Sequence, residues 1–99
     1  MELGLAGRVA LVCGSTKGLG RAVAKALAQE GARVAINGRH QDSVERVAQQ
    51  LEAETSRTVV PLVADVGIPA EAEGMVERVA RELGRLDIQI GRASCRERV

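Results

Sequence analysis

A chain of 99 residues suits one domain with a small core, and 45% hydrophobic with 27% charged residues is ordinary globular composition. With a net charge of +1 and no Phe, Tyr or Trp, it lacks both the basic surface and the stacking platforms that nucleic-acid binding uses, so no nucleic acid partner is expected. No run approaches the roughly 18 to 20 apolar residues of a membrane span, and Met1, Glu2, Leu3 and Gly4 lack a signal peptide's charged and apolar regions; a soluble, cytoplasmic protein with no membrane partner is expected.

Residues 8–13 are a nearly continuous apolar run that stops at Gly14, the pattern of a strand covered on both faces of a parallel sheet. A helix follows, with Leu19, Ala22, Val23, Ala26 and Leu27 at three- and four-residue spacing and Gly31 supplying a left-handed end. Residues 34–36 make a second strand, which leads through Asn37, Gly38, Arg39 and His40 into a second helix. Asp42 or Ser43 can cap that helix, and its inner stripe is Val44, Val47, Ala48 and Leu51. Residues 58–63 are a third strand, and Pro61, which cannot donate to a sheet ladder, assigns it to an edge. Pro69 opens a third helix with Ala72, Val76, Val79, Ala80 and Leu83 on one face, and Gly84 ends it before residues 86–88 begin a fourth strand. The order βαβαβαβ implies an α/β fold with a parallel sheet and right-handed crossovers. With the first strand central and the second and third lying successively outward, the edge falls where Pro61 needs it.

Between the first strand and the first helix lie Gly14, Ser15, Thr16, Lys17, Gly18, Leu19 and Gly20, a GxxxGxG turn. Gly14 permits a tight exit from the strand, Gly18 lets a ligand backbone come close without a β-carbon in the way, and Gly20 lets the helix pack near the sheet. The amides at the helix start then face a diphosphate. Together these predict the N-terminal half of a doubly wound, NAD(P)-binding Rossmann fold. A Walker loop would need Lys-Ser or Lys-Thr after its last glycine, whereas Gly18 is followed by Leu19.

An NAD-specific site places a carboxylate at the end of the second strand to bind the ribose hydroxyls. Here that turn reads Asn37, Gly38, Arg39. Arg39, with Lys17, offers cations to a 2′-phosphate, and the small Gly38 is read as leaving it room, so NADP is expected rather than NAD. His40 is read as a surface residue. Asp65 and Val66 follow the third strand at the carboxyl edge of the sheet, where ligands bind in open α/β folds, and an adenine contact is expected there. Cys13 and Cys95 form neither a disulfide framework nor a metal-ligand spacing, and no metal site is expected.

With these residues in place, the chain resembles the short-chain dehydrogenase/reductase family from about Leu5 to Ile88. Residues 13–20 match that family's TGxxxGxG turn with Cys13 where threonine is usual, Lys17 stands at a position often basic in NADP-preferring members, and Asn37, Gly38 and Arg39 match the end of the second strand in such members. Asp65 and Val66 match the adenine-side Asp-Val pair, and residues 84–88 match the approach to strand four. The resemblance implies that Asp65 meets the adenine amino group and the Val66 backbone a ring nitrogen. It also implies hydride transfer between NADP(H) and a carbonyl or alcohol substrate, as in 3-oxoacyl reductase-like enzymes, with a small-molecule substrate and a homo-oligomeric full-length form. The family's Asn-Asn-Ala-Gly stretch, its catalytic serine and its Tyr-x-x-x-Lys pair have no counterpart in these 99 residues, so no catalytic residue is assigned and the chain is expected to bind without turning over. The alternative is a non-catalytic dinucleotide-binding or sensor protein on the same fold.

Residues 90–99 have no apolar periodicity, do not continue the strand begun at Leu86, and match residue for residue the translation of a common short-read sequencing adapter. Gln89 fits the same junction. The chain is expected to divide into a Rossmann segment at 1–88 and a non-native tail at 89–99.

Overall fold

The computed structural model describes residues 4–16 and 18–90. In chain order the elements are β1 (Val9–Val12), α1 (Gly18–Gln29), β2 (Arg33–Gly38), α2 (Gln41–Thr55), β3 (Val59–Val63), α3 (Pro69–Leu83) and β4 (Ile88–Ile90). The four strands form one parallel sheet in the order β3-β2-β1-β4. β1 is central and β3 is an edge, with Pro61 paired to Ile36 of β2 and its other side free of any ladder within the described residues, as the proline required.

Every residue of β1 is fully buried, because the sheet is covered on both faces. Val12, Val34 and Ile36 pack with Ala24 and Ala28 of α1 and with Val44, Val47, Ala48 and Leu51 of α2. Val9, Leu11, Cys13 and Ala35 pack with Leu62, Ala64 and the α3 residues Met75 and Val79. Alternation along the strands thus sends α1 and α2 to one face and α3 to the other. The direction of strand succession reverses at β1, the place where open α/β sheets form a ligand crevice.

The three helices each carry a correction. The inner face of α1 is Ala24 and Ala28, with Val23 and Leu27 half-buried, while Leu19 is 80% exposed and Ala22 and Ala26 also face outward. A stripe of small residues lets this short helix lie close to the sheet, and close approach outweighs side-chain volume here. α2 starts after His40, which occupies the N-cap position without a side-chain hydrogen bond; Asp42 lies in the first turn and Ser43 inside the helix, so neither is the cap. α3 buries Met75 and Val79, with Ala72, Val76 and Leu83 half-buried and Ala80 exposed. Gly31 and Gly84 do adopt the left-handed conformation at the helix ends.

Two strands end later than periodicity suggested, and β4 begins at Ile88 rather than at Leu86. β2 runs through Asn37 and Gly38, both buried. β4 includes Gln89 and Ile90, paired with Leu11 and Val12 of β1, and Cys13 N–H donates to the Ile90 carbonyl at 2.7 Å. Backbone pairing with a buried neighbour extends a strand whatever the pattern of its own side chains. The remaining residues of the expected tail, 91–99, lie outside the described residues.

The amino end of β1 is fixed by Asp87. Its N–H donates to the Val9 carbonyl, its carboxylate accepts the Val9 N–H, both at 2.9 Å, and Arg85 and Arg8 stand 2.8 and 3.6 Å from the same carboxylate. The Val9 N–H first and the Arg85 guanidinium second hold Asp87 below the ordinary aspartate value of 3.8. A carboxyl so lowered contributes stability that is fully present above its unfolded value and disappears as pH falls through the folded one. In urea titrations from about pH 7 to about pH 2, the native chain should lose stability as pH falls below about 4, and Asp87→Asn should start lower and fall less. A parallel loss in the two proteins would contradict this role. Glu54, held low chiefly by its hydrogen bond from Arg21, leaves some acid dependence in the variant.

Candidate functional site

The carboxyl ends of β1, β2 and β3 bring together the residues singled out by their spacing. Gly14, Ser15, Thr16, Gly18, Leu19 and Gly20 lie at the junction of β1 and α1, Asn37, Gly38 and Arg39 at the end of β2, and Asp65 and Val66 just after β3. Lys17 lies outside the described residues. Among the described residues no group of three or more His, Cys, Asp or Glu side chains could hold a metal ion, and no helix is long and apolar enough to cross a membrane.

The turn is built by its glycines in three different ways. Gly14 and Gly18 take φ of 60° and 64°, a conformation that any side chain strains. A β-carbon added at Gly18 would meet nothing within 4 Å, so the backbone there is open to an approaching ligand. At Gly20 a β-carbon would lie 2.7 Å from the Gly14 carbonyl oxygen and 3.0 Å from Ser15 Cα. Gly20 therefore packs the helix against its own entry turn rather than against the sheet. The first turn of α1, whose amides have no partner within a helix, contains Gly18 and Gly20 and has no acidic residue in it.

The neighbouring residues divide into those turned inward and those turned outward. Ser15 is fully buried and Asn37 is 2% exposed. Ser15 N–H donates to the Asn37 carbonyl at 2.9 Å, and Asn37 N–H donates to Ser15 Oγ at 3.0 Å. Asn37 Oδ1 accepts the Gly14 N–H at 3.0 Å, and its Nδ2 donates to the Ala64 carbonyl at 3.1 Å and, at 3.5 Å, to that of Leu62. Gly38 is small for a reason other than room for a phosphate: a β-carbon there would lie 2.6 Å from Thr16 Cγ2 and 3.3 Å from Val44 Cβ. The space belongs to Thr16 and Val44.

Arg39 is exposed, and no hydrogen bond or ion pair holds its guanidinium among the described residues. Asp65 is half-buried and shapes its own loop, with Oδ1 accepting the Gly67 N–H at 2.9 Å. Its N–H donates to Glu71 Oε1 at 2.8 Å. Sequence reading missed Glu71. The available signal was an acid three residues after Ile68, where a first-turn carboxylate reaches back to a free amide. Val66 is half-buried and packs onto the α3-side core. The donor set, an open left-handed glycine turn at a helix start beside an unengaged guanidinium, fits a phosphate-bearing dinucleotide.

Comparison with known proteins gives the same answer. The profile of the family described as short chain dehydrogenase matches residues 8–98. The chain is 42% identical over 86 residues to glycine betaine reductase ATRR of Emericella nidulans, covering 87% of this chain and 7% of that protein. It is 40% identical over 90 residues to the uncharacterized oxidoreductase YvrD of Bacillus subtilis, covering 91% of this chain and 33% of that one. The crystal structure of L-sorbose reductase from Gluconobacter frateurii, complexed with NADPH and L-sorbose, superposes with a TM-score of 0.84 at 32% identity, over 90% of this chain and 34% of that chain. The chain thus spans about a third of the length of YvrD and of the sorbose reductase.

The glycine geometry makes a paired prediction. Gly20→Ala should destabilise the chain by about 1–3 kcal/mol, since the new methyl meets a backbone carbonyl that cannot yield. Gly74→Ala, in α3, where a β-carbon would meet nothing within 4 Å, should stabilise by about 0.5–1 kcal/mol through helix propensity alone. Urea midpoints of the two variants distinguish close packing from helix propensity, and a stabilised Gly20→Ala would overturn the assignment.

Proposed function

The chain belongs to the short-chain dehydrogenase family, and from that premise we propose that its carboxyl sheet edge binds NADP(H) within a reductase that moves hydride between the nicotinamide and a carbonyl or alcohol substrate. Gly14, Gly18 and Gly20 shape the turn that receives the diphosphate, with the first-turn amides of α1 facing it. Arg39, joined by Lys17, takes the 2′-phosphate, and Asp65 and Val66 flank the adenine. Bound NADP(H) supplies the hydride carrier. The chain's own residues bind and orient it, and with no tyrosine among them the proton-donating Tyr-x-x-x-Lys pair implied by the resemblance stands elsewhere. These 99 residues are therefore expected to bind without turning over.

The observation that carries the choice of NADP is the end of β2, where an exposed, unengaged Arg39 follows Asn37 and Gly38 and no carboxylate stands in the NAD-type position. The NADPH in the L-sorbose reductase crystal structure supports the same reading. The longer protein is read as a cytoplasmic homo-oligomer acting on a small molecule, 3-oxoacyl compounds among the candidates, with neither nucleic acid nor membrane as partner. Support for that part comes from the resemblance, from the absence of aromatic residues and from a net charge of only +1.

Arg39→Ala should weaken NADPH binding by about 10- to 100-fold, the worth of a charge-assisted hydrogen bond to phosphate, while leaving NADH binding within about threefold. Dissociation constants for the two reduced cofactors, read from nicotinamide fluorescence, give the ratio. An unchanged ratio sinks the NADP assignment, and absence of binding by the native chain to either cofactor sinks the dinucleotide site itself.

A further inference from the structure

β1 stops at Val12 while β2 continues to Gly38, so Asn37 lies one residue beyond the last strand neighbour on its β1 side. Its carboxamide spans the resulting gap. One end accepts the Gly14 N–H and the other donates to the carbonyls after and within β3, at Ala64 and Leu62. The partners fix the amide's orientation, since a backbone N–H faces Oδ1 and two carbonyls face Nδ2. Few side chains could replace it. Aspartate keeps the acceptor but turns a carboxylate toward two carbonyl oxygens, and serine is too short to reach both sides.

The two sides joined in this way are the two halves of the candidate site: Gly14 opens the glycine turn, and Ala64 immediately precedes Asp65. Asn37, at 2% exposure, has no surface with which to touch a ligand. We propose that Asn37 is a positioning residue whose carboxamide sets the spacing between the diphosphate turn and the adenine-flanking loop, so that a dinucleotide can engage both at once. This rests on the dinucleotide reading above and deepens it.

The distinguishing property is that a spacing defect weakens a ligand that bridges both halves more than one that occupies a single half. Asn37→Asp in the 99-residue chain should weaken NADPH by about tenfold, as expected for one ordering hydrogen bond lost, while adenosine, which carries no phosphate to reach the glycine turn or Lys17, stays within about threefold of the native value. A parallel loss for both ligands would mark a merely structural residue and overturn the proposal, as would no loss for either. If the native chain binds neither ligand, the dinucleotide reading falls and this one with it; if the native chain binds and the variant does not discriminate, only this one falls. Should the variant fail to fold, amide exchange in the native chain without ligand decides. The Gly14 N–H should exchange as slowly as the β1 amides, and exchange at the rate of an exposed loop amide would refute its hold by Asn37.

Discussion

A strand that stops inside a sheet leaves its neighbour's backbone groups facing nothing, and the carboxyl edge of this sheet is organised by how that deficit is met. The Asn37 N–H and carbonyl point toward the place where β1 would have continued. Left unpaired in a buried position, each would cost about 1–3 kcal/mol. Ser15 supplies both partners, its own N–H for the carbonyl and its hydroxyl oxygen for the N–H. A single residue of the turn thus imitates a strand, and β1 is released to turn at Gly14 without leaving a hole beside β2.

The amino end of β1 solves the same problem in the same way. Asp87 gives its N–H to the Val9 carbonyl and takes the Val9 N–H on its carboxylate, so again one residue pairs both backbone groups of another through one backbone and one side-chain atom. The central strand is only four residues long, too short for ladder bonds alone to define where it begins and ends. Reciprocal pairs at either end define it. One lies at the edge away from the candidate site, the other inside its wall.

Periodicity and turn chemistry carried the element order, the central place of β1, the edge place of β3 and the inner stripe of α2, because long apolar patterns and a strand proline state their constraints locally. The glycine turn was legible for the same reason. What escaped depended on partners distant in sequence. Leu19 looked like core on a helical wheel, yet it is exposed, and Ala24 and Ala28 are the α1 residues that join the core with Val12, Val34 and Ile36. Asn37 and Gly38 looked like a ligand-facing turn, yet they complete β2, one bonded to Ser15 and Ala64 and the other packed under Thr16. A polar residue next to a glycine reads the same from sequence whether it faces solvent or fills a gap left by a neighbouring strand.

That distinction separates the site into two kinds of residue with different freedoms. Ser15, Asn37 and Gly38 are buried and satisfied by one another and by the ends of β1 and β3, so a change in any of them disturbs several backbone groups at once. Arg39 is the next residue along and touches none of this network. Side chains that choose between one cofactor and another can vary at such a position without reopening the wall behind it. The wall of the cleft and the charge beside it therefore come from adjacent residues, buried Asn37 and Gly38 and exposed Arg39, so the short run holds a structural requirement next to the position to which the proposed 2′-phosphate contact is assigned.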